Sequence, residues 1–183
     1  FVLRKGRVLR DTKTADQNAI LVLGVDPGSQ CTGFGLVREC SGLLELVETG
    51  TVRTNPGHSF VDRIGFIFSR LAELVDRWAP DEAAVEDVFV SKNASSALKL
   101  GQVRGAAVVA CTSRSVPVFS YEPAQIKKSL VGGGRADKGQ VAFMVGQMLG
   151  VRPSWSRDSS DALAVALCHL NQRRLNRLLR KAL

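Results

Sequence analysis

The chain has 183 residues, 45% of them hydrophobic and 23% charged, and a formal net charge of +8. That length accommodates one domain with a sizeable core, and no apolar run approaches the ~18 residues that span a bilayer. Cys31, Cys40, Cys111 and Cys168 are scattered and His58 and His169 lie far apart, so neither a disulfide scaffold nor a zinc motif is present and the expectation is a cytoplasmic protein with reduced thiols. Charge is unevenly spread: residues 26–88 hold eleven acids and five bases, whereas 89–157 hold ten bases and two acids, and 169–183 add five bases without an acid. Such asymmetry suits a polyanion gripped by one surface and processed at a metal-binding neighbour; a solvated surface with a basic tail is the alternative.

In chain order, Ile20, Leu21, Val22, Leu23 and Val25 form an apolar run without alternation, the pattern of a strand buried on both faces. It closes on Asp26, and Pro27-Gly28 turns the chain into a returning strand over 32–37. Asp26 is either a turn former or a site residue. Residues 43–52 read as a third antiparallel strand, ended by Asn55-Pro56-Gly57. Phe60, Ile64, Ile67, Leu71, Leu74 and Trp78 then recur every three or four positions, which predicts an amphipathic helix. A strand over 83–90 follows, with Glu86 near its end, then a helix over 94–114 with Asn93 or Ser95 as its N-cap. The rest reads as a strand over 117–121, a helix over 123–130 opened by Pro123, a glycine loop at 132–134, a helix over 137–149 and a last helix over 158–179. Three antiparallel strands followed by strand–helix alternation predict an α/β fold with a mixed sheet flanked by helices.

Four acids stand out. Asp26 and Glu86 end strands that would lie side by side, while Asp158 and Asp161 are three apart and so project from one face of a helix's first turn. Clustered carboxylates repel unless cations intervene, and hard divalent ions, Mg²⁺ first, are their natural partners. Two such ions about 3.5–4 Å apart are the apparatus of in-line phosphodiester hydrolysis. For Asp158 and Asp161 the competing role is helix capping and interaction with the helix dipole.

The segments VDPGSQCTGFG, VEDVFVSKNASSALKLGQVRG and SRDSSDALAVALCH resemble, in order and spacing, the signature blocks of the RuvC family of Holliday-junction resolvases, on the RNase H-like (retroviral-integrase-like) fold with its five-stranded sheet. The likeness covers residues 21–169, and the first sixteen or so residues have no counterpart in it. Actin-like ATPases share DxGS alone. The resemblance implies that Asp26, Glu86, Asp158 and Asp161 are the metal ligands, with Asp26 bridging two Mg²⁺ per site and Mn²⁺ an acceptable substitute. Some relatives carry His at the position of Asp158. It implies a homodimer that binds a four-way DNA junction, nicks two strands of like polarity and docks with the RuvAB branch-migration complex. Phe89, with Lys92 and Asn93 beside it, matches the place of an aromatic that stacks on an unpaired base. Lys127, Lys128, Arg135 and Lys138 resemble basic residues near the scissile phosphate, with Lys138 also part of the catalytic set.

On this reading residues 1–17 are a flexible extension, 18–171 an RNase H-like nuclease domain and 172–183 a basic helix end. Ala97, Gly101 and Gly105 repeat every four residues on one helix, a flat strip for either a dimer contact or close packing on the chain's own sheet. Two rivals remain at this level: an actin-like ATPase fragment using DPGS as a phosphate loop, and a catalytically inactive junction-binding module.

Overall fold

The computed structural model describes residues 19–87, 94–132 and 137–182. Five strands, β1 (Ile20–Asp26), β2 (Cys31–Cys40), β3 (Leu43–Arg53), β4 (Glu82–Glu86) and β5 (Val118–Tyr121), form one mixed sheet in the order β3-β2-β1-β4-β5. β1, β2 and β3 are antiparallel neighbours, while β4 and β5 add in parallel beside β1. Helices α1 (Phe60–Trp78), α2 (Ala94–Thr112), α3 (Pro123–Val131), α4 (Lys138–Leu149) and α5 (Arg157–Ala182) complete the chain. None of the described helices is long and apolar enough to cross a membrane.

The unalternating run of β1 is buried on both faces because both are covered. Leu21, Leu23 and Val25 pack with Ile67, Leu71 and Val75 of α1 and Val103, Ala107 and Ala110 of α2. Ile20 and Val22 point the other way, against Leu163, Ala166 and Leu167 of α5, with Ile126 of α3 and Val145 of α4 in the same cluster. α1 is capped by Ser59, whose hydroxyl accepts from the Asp62 amide. α4 opens on a reciprocal capping box between Asp137 and Gln140.

Glycines decide how α5 meets the sheet. A Cβ added at Gly24 would lie 2.2 Å from the Ala162 carbonyl oxygen, and one at Gly33 2.0 Å from that of Asp158. Main chain therefore rests directly on main chain. That contact brings the start of α5 over the C-terminal end of β1, where Asp26 pairs across the ladder with Gly33.

Boundaries differ from expectation in several places. β2 runs to Cys40, since its whole length pairs with β3. β4 stops at Glu86, and 88–90 lie outside the described residues, as does Asn93. Ser95 sits inside the first turn of α2, so it does not cap it. α2 ends at Thr112, with Arg114 in a turn where its guanidinium binds both carboxylate oxygens of Asp76 at 2.6 and 2.8 Å. α5 starts at Arg157 and continues unbroken to Ala182.

Candidate active site

Because β1 and β4 are parallel and in register at Val25 and Val85, both strands deliver an acid at the same edge. The Asp26 and Glu86 carboxyls lie within hydrogen-bonding reach of each other. Burial, then the hydrogen bond and charge of Glu86, push the Asp26 carboxyl up to about 8. Glu86 is also raised, chiefly by burial. Two half-buried carboxyls set side by side thus both favour the protonated form when no cation is bound.

A cleft of about 200 Å³ opens above them, lined also by Asp161, Lys127 and Lys138. Lys138 Nζ lies 2.8 Å from Asp161 Oδ2, which holds the ammonium above its ordinary range. Asp161 raises both Asp26 and Glu86, while Lys138 lowers both. α3 supplies Lys127 and α4 supplies Lys138, so the cations reach the acids from helices covering that face.

Asp158 stands apart from this group. Its Oδ2 accepts from Cys31 Sγ at 3.0 Å, and it does not line the cleft. Burial and the Asp158 carboxylate raise the Cys31 thiol and keep it a donor. Among the described residues, no three Asp, Glu, His or Cys side chains converge as the ligands of one ion do. The chemistry of the donor set nevertheless suits a hard cation: three carboxyls line one cleft, two of them side by side, and an ammonium already sits on the third.

Other predicted residues divide. Lys128 is exposed and outside the cleft lining. Phe89, Lys92, Asn93 and Arg135 lie outside the described residues. Ala97 is half-buried and Gly101 and Gly105 are exposed, with nothing within 4 Å of a Cβ built on either glycine, so the strip does not pack at the glycines on its own sheet. Leu98 and Val109, 69% and 52% exposed, extend the same helical face.

Sequence reasoning missed Cys31 and the seating glycines. Gly24 and Gly35 are cross-strand partners and Gly33 follows two positions along. That period of two, set against Ala162 and Ala166 of the last helix, is the signal that was available.

A mixed sheet of this order, with acids at the ends of adjacent central strands and on the last helix, defines an RNase H-like nuclease fold. A family model described as crossover junction endodeoxyribonuclease RuvC matches residues 22–169. A relative from Nitratidesulfovibrio vulgaris, named crossover junction endodeoxyribonuclease RuvC, is 58% identical over 87% of this chain and 96% of its own length. The RuvC structure from Thermus thermophilus is similar at a TM-score of 0.76 and 36% identity, covering 86% of this chain and 97% of that one. The same protein in complex with a Holliday-junction substrate gives 0.78 at 36% identity, over 86% and 96%. The chain belongs to the RuvC family.

Proposed function

We infer that this chain is a structure-specific endodeoxyribonuclease that resolves Holliday junctions in DNA recombination and repair, and we propose that it does so with Mg²⁺ at Asp26, Glu86, Asp161 and Asp158. The observation that carries the metal reading is the convergence of the Asp26, Glu86 and Asp161 carboxyls on one cleft, because clustered carboxylates repel unless a hard cation lies between them. Bound there, two ions would activate water and stabilise the leaving oxygen of a phosphodiester.

The chain's own residues do the rest. Asp26, Glu86 and Asp161, which line the cleft, would hold the ions. With a cation at Asp161, Lys138 would be available to a non-bridging phosphate oxygen. Lys127 would approach the phosphate from α3. Asp158, now bonded to Cys31, would join the set by turning from it. Lys128, exposed on α3, would extend the basic rim along the DNA backbone; to Arg135 we assign a backbone contact, and to Phe89, Lys92 and Asn93 the unpaired bases at the crossover.

A two-fold substrate with two scissile strands suits a two-fold enzyme. The α2 face of Ala97, Leu98, Gly101, Gly105 and Val109 is the surface we assign to the homodimer. The protein acts in the cytoplasm and accepts junctions from the RuvAB branch-migration complex. Residues 18–171 are the nuclease domain, 1–17 an extension and 172–183 a basic helix end.

The test is cutting of a synthetic four-way junction by wild type and Asp26→Asn, with and without Mg²⁺, and with binding measured separately. Cutting lost with binding kept is expected. Undiminished cutting by Asp26→Asn defeats the metal reading, and no cutting by wild type with any divalent ion favours an inactive junction-binding module.

A further inference from the structure

The C-terminal part of α5 has no task in the reaction above. From Arg174 to Arg180 the helix is exposed. Between it and β5, an edge strand, lies a groove of about 430 Å³ lined by Phe119 and Tyr121 of the strand and by His169, Arg173, Arg177 and Arg180 of the helix.

One wall is fixed by a buried hydrogen-bonded chain. Glu82, an acceptor only, takes the His169 Nε2–H at 2.5 Å, so His169 Nδ1 accepts from the Tyr121 hydroxyl at 2.6 Å. Arg173 also binds Glu82. Phe119, 41% exposed, lies with its ring 4.6 Å from that of His169. The single carboxylate in the groove is thereby used up. Among the described residues neither Arg177 nor Arg180 has an acidic partner, and both are exposed.

We propose that this groove grips the phosphate backbone of a duplex DNA arm away from the cutting site. The reading rests on the resolvase function above. Arg173, Arg177 and Arg180 follow one another at four and three residues on one helical face. At 1.5 Å per residue they span about 10 Å, longer than a single phosphate group and enough to meet about two successive phosphates of one strand. A row of that length fits a repeating polyanion better than a single phosphate. Along the same helix, Arg177 lies sixteen residues from Asp161, about 24 Å, so the row meets DNA well away from the cut. Backbone contacts of this kind position DNA without choosing sequence.

The test is junction affinity as a function of salt, without divalent cations so that cutting plays no part. It compares wild type, Arg177→Ser with Arg180→Ser, and a charge-matched control, Arg38→Ser with Arg70→Ser. Losing two phosphate contacts makes the salt slope shallower by about 1.8. Between 50 and 200 mM salt wild type then loses about tenfold more affinity than the groove variant, while the control follows wild type. Hydroxyl-radical footprinting should show backbone protection on a duplex arm away from the scissile phosphate, lost in the groove variant alone. Equal slopes for the groove variant and wild type, as expected if the groove instead holds an acidic peptide, overturn the proposal. Equal loss in both variants also overturns it.

Discussion

Without a cation, Asp26 is a buried acid that keeps its proton to about pH 8. The folded state therefore binds more protons than the unfolded chain between the ordinary carboxylate range and pH 8, and stability falls as pH rises across that window. In chelator, wild type should lose melting temperature from pH 5 to pH 9 more steeply than Asp26→Asn, which has no charge to bury. Mg²⁺ should flatten the wild-type curve and leave the variant's unchanged. Thermal melts over that range measure both effects. Lys138→Met tests the same site from the cationic side: losing one charge-assisted phosphate contact should slow cutting by roughly 10- to 100-fold, about 1.5–3 kcal/mol, with Mg²⁺ affinity unchanged or higher, because Asp161 loses its competing ammonium.

At the scale of elements, two kinds of glycine call for opposite outcomes. Gly24→Ala drives a methyl into the Ala162 carbonyl, main chain that does not yield as a side chain does. Overpacking of this sort costs about 1–3 kcal/mol or more, and denaturant unfolding should register it together with lost cutting. A Cβ at Gly101 meets nothing within 4 Å, so Gly101→Leu should leave the fold of the chain intact while crowding the proposed dimer face. Sedimentation should show a weakened dimer, and a full-strength dimer removes α2 from the interface. Element by element, legibility in the sequence followed burial. β1 reads clearly because it is covered on both faces, and α1 because one stripe faces the core and its opposite faces water. The two sides of α2 were not legible: its buried Val103, Ala107 and Ala110 and its exposed Leu98 and Val109 are equally apolar. Asp26 and Glu86 were placed correctly at neighbouring strand ends by their apolar runs. The turn of Asp158 toward Cys31 joins residues 127 apart, and no local pattern encodes it.

Over the whole molecule, the acidic early half and basic later half of the sequence converge on one cleft: β1 and β4 bring Asp26 and Glu86, and α3 and α4 bring Lys127 and Lys138. If two such clefts serve one junction, a mixed dimer of wild type and Asp26→Asn should nick a cruciform plasmid once and fail to linearise it. Gel separation of nicked from linear product reads this directly.

The seating of α5 on Gly24 and Gly33 has one more consequence. The spacing of the main chain at the helix-borne acids from that at Asp26 is set by backbone against backbone. Loosening of the apolar side chains, by warming or by substitution, therefore leaves the spacing of the acids intact until the whole helix lifts. The site should tolerate much change in its surroundings and then fail in a single step, losing its catalytic geometry at the same temperature at which the sheet loses its cover.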